Sequence, residues 1–188
     1  MRLRHILIIA LAVIGLISYA VIQGILIPQQ EMKQQQYEAA QQNPVTHDLN
    51  RILQYKSKYM GDASNMGNLF QHLPLADIQH TFELQSDVLL AQINYSAEST
   101  TLDKVGLNQA LFYNSVAAFA LIDNLETIIY HFEDTDFQVE RADVEQMYGA
   151  PLSDLLTLDQ WKEKVQDAIA QDNTLDYDQI IRLAPQSS

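Results

Sequence analysis

Leu107–Asn124, LNQALFYNSVAAFALIDN, decides the fold of this chain. Asn108, Asn114 and Ser115 interrupt it, and it is too short and too polar to span lipid. Ala110, Ala117, Ala118 and Ala120 give it small faces that allow close approach to a sheet. A helix apolar on all sides belongs inside a domain, so the stretch predicts a central buried helix.

Strand patterns flank it on both sides. Thr81–Gln85 alternates, with Phe82 and Leu84 on one face. Val88–Tyr95 alternates as well, with Leu89, Ala91, Ile93 and Tyr95 on one face, and Ser86-Asp87 is the turn between the two. After the central helix, Thr127–Phe132 and Phe137–Glu140 form a second hairpin around Asp134-Thr135-Asp136. Residues 96–106 read as a loop ending at Gly106.

Further out lie helices. Thr46–Met60 places Leu49, Ile52, Leu53 and Tyr59 near helical spacing, with Gly61 as its left-handed stop. Asp62 or Ser64 caps a short helix carrying Met66, Leu69, Phe70 and Leu73, closed by Pro74. Ala142–Tyr148 is a short helix ended by Gly149. Thr157-Leu-Asp-Gln160 is a capping box for a last helix with Trp161, Val165, Ala168 and Ile169 on one face. Residues 174–188 fit a short strand or helix through Ile180, Ile181 and Leu183. Two hairpins that each bury one face, covered by an apolar helix and flanking helices, give a two-layer α+β sandwich over 46–188.

At the other end stands His5–Pro28, HILIIALAVIGLISYAVIQGILIP, with no full charge inside it. Its length matches a bilayer core, and it reads as a single transmembrane helix. Arg2 and Arg4 precede it, whereas the only cation soon after is Lys33 beside Glu31. The positive-inside rule then puts residues 1–4 in the cytoplasm and the body outside the membrane. A cleaved signal peptide is the rival, with Ser18-Tyr19-Ala20 as cleavage site and Val21 as the new N-terminus. The apolar run continuing to Ile27 favours the uncleaved anchor. Residues 29–45 carry seven glutamines and no apolar stripe. They read as a linker or helical extension that stops near Asn43-Pro44.

Composition narrows the function classes. There is no cysteine, hence no disulfide framework, thiolate chemistry or acyl anchor. After Pro44 the chain carries 8 Lys and Arg against 22 Asp and Glu, a formal balance of −14. Such a surface repels phosphate backbones and argues against nucleic acid as a partner.

Three patches carry a family likeness. They are Tyr59-Met-Gly61-Asp62 with Gly67-Asn68-Leu69 and Leu73-Pro74; Asn114-x-x-Ala117 through Phe119 to Asn124; and Arg141 through Tyr148-Gly149 to Trp161. Over roughly residues 46–170 the chain resembles an uncharacterised extracytoplasmic domain of Gram-positive bacteria, mostly Firmicutes. That family occurs as small membrane-anchored proteins and appended to sensor proteases of the penicillin-sensing BlaR and MecR type. The resemblance implies no catalytic residue and no cofactor. The His-Glu-x-x-His of the associated proteases is absent here.

The motif residues themselves read as architecture: caps and turns at Asp62, Asn68 and Gly149, core edges at Tyr59 and Trp161. His72 and His80 lack zinc spacing, and there is no Gly-x-Ser-x-Gly elbow or phosphate loop. The acidic turns Glu133, Asp134, Asp136 and Asp172, Asp176, Asp178 are the remaining candidates for a hard cation or a hydrolytic carboxylate pair. The sequence therefore points to a cell-membrane protein with a binding or sensing module at the envelope and a membrane or envelope protein as partner. A small acidic hydrolase or cation-binding protein is the alternative.

Overall fold

The computed structural model describes residues 2–171 and 175–184, apart from the side chains at 12 positions between 2 and 26. The chain forms two compact units, Met1–Ala40 and Gln41–Ser188.

In the first unit α1 (Arg2–Val21) passes through a π-type turn, Ile22–Leu26, into α2 (Ile27–Gln41). Pro28 explains the wide turn. It offers no N–H to the carbonyl of Gly24, and its ring crowds that carbonyl, so the helix loosens there instead of ending. The helical backbone runs on to Gln41, as the helical-extension reading of 29–45 expects. Among the described residues no helix is long and apolar enough to cross a membrane, so the span expected over 5–28 stands on sequence alone.

The second unit is mixed α+β. Its sheet has five strands in the order β1 (His80–Gln85), β2 (Leu90–Tyr95), β3 (Thr127–His131), β4 (Asp136–Glu140), β5 (Arg182–Leu183). Both expected hairpins form, as antiparallel pairs β1–β2 and β3–β4. They join through a parallel β2–β3 pair, which requires a crossover. The crossover is α4 (Lys104–Leu121), the helix expected from Leu107. It begins three residues earlier, because Asp103 caps it by accepting from Gly106 N–H at 2.7 Å. Gly106 therefore lies in its first turn and does not end a loop. The first hairpin turn is longer than Ser86-Asp87. It runs through Leu89, which takes a left-handed conformation at φ 56°.

One face of the sheet is the core face. Ala91, Ile93, Tyr95, Ile128, Tyr130 and Val139 are buried there, with Phe82, Leu84 and Phe137 at its margins. Tyr130 reaches α4, its hydroxyl 2.9 Å from Ser115 Oγ, which in turn donates to Leu111 O at 2.8 Å. Every residue of α4 from Ala110 to Leu121 is buried. Away from the sheet, Tyr113 meets Trp161 edge-on and Phe112 meets Tyr177. The central helix is covered by other helices as well as by the sheet, more than a two-layer packing requires.

Those helices are α3 (Ala63–Phe70), α5 (Arg141–Tyr148), α6 (Leu158–Trp161) leading through a π-type turn into α7 (Asp167–Ala170), and α8 (Tyr177–Ile180). Asp62 caps α3 by accepting from Asn65 N–H, Gly149 closes α5 at φ 64°, and Thr157 accepts from Gln160 N–H, all as the sequence predicts. Residues after 174 form both a helix turn, α8, and a strand, β5.

Thr46–Met60 is the clear departure. It holds two 3₁₀ turns, Leu49–Arg51 and Leu53–Tyr55, then extends. Asp48 caps the first turn. Beyond Tyr55, Ser57 N–H donates to Leu121 O and Ser57 O accepts from Asp123 N–H, which pulls the backbone alongside the end of α4. Tertiary hydrogen bonds outweigh local propensity there. Gly61 consequently is no left-handed stop, and Tyr59 is 69% exposed and no core edge.

Gly67 of α3 faces Phe82 of β1. A Cβ on Gly67 would stand 2.7 Å from Phe82 Cε1. Inside a helix, Gly→Ala ordinarily gains about 1 kcal/mol. Here Gly67→Ala should instead lose about 1 kcal/mol, because the ring must swing out of its seat. Urea unfolding checks this, and a gain of the ordinary size would mean that the ring is free to move.

Candidate functional site

The polar residues singled out by sequence lie in three places. The first is the end of α4. Arg141 begins α5 yet points inward and is 9% exposed. Its Nε donates to Leu125 O at 2.7 Å, and Nη2 donates to Phe119 O at 2.9 Å and Ile122 O at 2.6 Å. Its guanidinium lies 5.2 Å from the Phe119 ring centroid, and Nη1 pairs with Glu145 at 3.2 Å. A planar fork of donors thus satisfies carbonyls that the end of a helix leaves open, at the negative end of its dipole. Beside it Asn124 Oδ1 accepts from Met60 N–H at 2.7 Å, fixing the extended 57–60 segment. At the other side of α4, Asn114 Nδ2 donates to Pro74 O at 2.7 Å.

The second place is a buried chain of hydrogen bonds. Trp161 Nε1 donates to Tyr113 Oη at 3.0 Å, Tyr113 Oη lies 2.8 Å from His47 Nδ1, and His47 Nε2 lies 2.6 Å from His72 O. One proton arrangement satisfies all of it: His47 neutral, donating from Nε2 to the carbonyl and accepting from Tyr113 at Nδ1. Burial is the main reason that the imidazole stays neutral. It pushes the His47 pKa down to about 4 from 6.5, against the hydrogen bond to His72 O. Burial likewise pushes the Tyr113 phenol well above its usual range. Trp161 is thus fully inside, where sequence placed it at a core edge.

This chain sets a pH dependence. The folded pKa of His47 lies below the unfolded one, so its contribution is complete above 6.5 and is lost as pH falls toward 4. The unfolded state takes the proton first, and stability should drop by about 2 kcal/mol between pH 8 and pH 5. Urea titrations of wild type and His47→Gln check this. The variant should lack that part of the slope, and equal slopes would contradict a buried neutral His47.

The third place is the turn 133–136. Asp134 accepts from Ser99 N–H at 2.7 Å, Ser99 Oγ at 2.9 Å and Thr100 N–H at 3.1 Å. Desolvation opposes ionisation, but these hydrogen bonds outweigh it and hold the carboxyl at about 2. Asp136 pairs with His131 Nδ1. Two of the three acids are therefore engaged with protein groups, and Glu133 is exposed. Of the second cluster, Asp172 lies outside the described residues, while Asp176 and Asp178 are exposed at the start of α8. Among the described residues no group of three or more His, Asp or Glu is placed to hold a metal ion.

Of the other motif residues, Asn68 and Tyr148 make hydrogen bonds inside the domain, while Tyr59 is exposed. The carbonyl of Asn68 accepts from His72 Nδ1 at 2.8 Å, and Tyr148 Oη donates to Lys164 O at 3.4 Å. Sequence reasoning did not anticipate His47 or Asp134 as structural groups, nor the open groove of about 660 Å³ beside β1. Ser64, Gly67, Asn68, Gln71 and Phe82 are among its walls.

Residues 52–144 match the model of a family described as Domain of unknown function (DUF4825). The match covers the sheet through β4, the central helix and Arg141, and its description names no activity. No curated protein and no solved structure matches the chain.

Proposed function

We propose that this chain is a single-pass membrane protein whose N-terminal helix tethers an extracytoplasmic α+β domain at the cell envelope, and that the domain works by binding and not by turnover. The observation that carries the binding reading is the use made of the motif. Asp62, Asn114, Asn124, Arg141 and Trp161 each commit a polar side-chain atom to a hydrogen bond inside the domain. Catalytic groups are ordinarily held in reserve from such roles, with chemistry perturbed toward a substrate. The tether rests on the apolar run His5–Pro28 and on Arg2 and Arg4 before it. It fits the Firmicutes envelope family that the chain resembles. Confinement to a membrane raises the effective concentration of a weakly binding domain toward partners in the same membrane.

Cross-linking of the full chain in its native membrane, followed by identification of the adduct, tests this. A defined protein or envelope-polymer adduct is expected, and it should persist in Glu133→Gln/Asp136→Asn. Loss of the native phenotype in that double variant, with fold and adduct intact, would replace binding by a chemical role for the acids.

A further inference from the structure

We infer that the open edge of β1 is the contact surface, and that it takes an extended, basic segment of a partner protein as a sixth strand. This rests on the binding reading above and names the kind of partner.

The register identifies the free groups. Ser96 N–H donates to Gln79 O, which makes 79 and 96 a hydrogen-bonded pair of the antiparallel ladder. Alternation along the ladder then turns Thr81, Glu83 and Gln85 toward β2, and leaves the N–H and C=O of His80, Phe82 and Leu84 facing away from it. β1 is the first strand of the sheet order, and no other strand of the described residues pairs with that side. Natural sheets blunt such edges with charged side chains, lysine above all, with proline, a bulge or a covering helix. β1 carries one charge, Glu83, and no lysine, proline or bulge: its sequence is HTFELQ, and its register with β2 is unbroken over six pairs.

Beside the edge is the groove. Gly67 of α3 stands close against Phe82 of β1, and the two elements line the groove together. No acid or lysine is in its lining, which includes Ser64, Gly67 and Asn68 from α3, Gln71 just past its end, and His80 and Phe82 from the strand. An added strand would place alternate side chains in this groove and the others on the outer face, beside exposed Glu83.

Charge selects the occupant. Between Lys58 and Lys104 there is no Lys or Arg, while Asp62, Asp77, Glu83, Asp87, Glu98 and Asp103 all fall in that interval. Both walls of the groove come from it. A second copy would bring the same acids against these, whereas Lys or Arg opposite Glu83 forms a favourable cross-strand pair. The segment that fits has small apolar residues at alternate positions and basic residues between them.

The probe is the peptide Lys-Val-Lys-Val-Lys-Val-Lys, added to the full chain in detergent micelles, with affinity and amide hydrogen exchange as readouts. Binding should protect the Phe82 and Leu84 amides. N-methylation of the valines, which removes donors without touching the protein, should weaken binding about fivefold or more. Leu84→Pro deletes an outward N–H that β2 does not use, and should have a similar effect. Glu83→Lys, at an exposed position, should weaken the lysine peptide by about twofold to fivefold and favour its glutamate counterpart. Equal binding of the N-methylated peptide, or binding with the Phe82 and Leu84 amides unprotected, overturns the proposal. So does protection that rises with protein concentration in the absence of peptide, which would make a second copy the occupant. If a partner is captured in the native membrane while these amides stay unprotected, the edge falls and the binding reading survives.

Discussion

Arg141→Met should cost about 3–5 kcal/mol, the largest loss expected of any single substitution here. Methionine fills much of the arginine's volume, so the loss reads the hydrogen bonds more than the packing. The carbonyls of Phe119 and Leu125 would lose their arginine donor, and that of Ile122 would keep only Leu125 N–H at 3.3 Å, in a place that water does not reach freely. The negative end of the α4 dipole would lose its cation. Arg141→Lys should recover little, since one ammonium cannot reproduce a planar fork directed at carbonyls from different turns. For a body of this size the Arg141→Met loss corresponds to a fall in Tm of about 10 °C. Thermal melts of both variants decide it, and a methionine variant within about 1 kcal/mol of wild type would show that the clamp is dispensable.

Ala118→Asp is the second large effect. Ala118 is completely buried, one helical turn from Ser115, which contacts Tyr130 on the sheet. A carboxylate there would enter the buried interior around α4. It must either remain charged at great cost or titrate to neutral, and several kcal/mol are lost in both cases. Ala118→Gly separates this from backbone effects, at about 1 kcal/mol for helix propensity alone. If Ala118→Asp melts within a few degrees of Ala118→Gly, α4 is not packed against the sheet as described.

The contrast between these residues shows what sequence can convey. Ala118 was legible as buried because it sits in an apolar helical run, and periodicity reports burial directly. The hairpins were legible for the same reason, through alternation at Phe82–Leu84, Ala91–Tyr95 and Ile128–Phe132. Asp62 and Gly149 were legible because caps depend on neighbours a few residues away. Arg141 was visible only as a motif member. Its partners are backbone carbonyls, which every residue has, so no spacing reveals them. Residues 46–60 misled for a related reason: Leu49, Ile52 and Leu53 suit a helix and 3₁₀ turns alike. The choice is made by Leu121, Asp123 and Asn124, more than sixty residues on. Asp134 looked like a spare acid, and the turn it caps lies 35 residues earlier. The parallel β2–β3 pair left no local signature, and the apolar residues 180–183 could not say which strand β5 would join. The groove by β1 needed both the helix position and the strand register before it existed as a feature.

All that is proposed for function depends on the body's lying outside the membrane. The chain has no cysteine, so a single Ser153→Cys, at an exposed position between α5 and α6, gives an unambiguous label. Intact protoplasts are treated with a membrane-impermeant maleimide, and the labelled protein is recovered from the membrane fraction. The account predicts full labelling before lysis on a chain that still carries its first 28 residues. Labelling only after lysis would place the body in the cytoplasm and contradict it, and a mature chain beginning at Val21 would replace the anchor by a cleaved signal peptide.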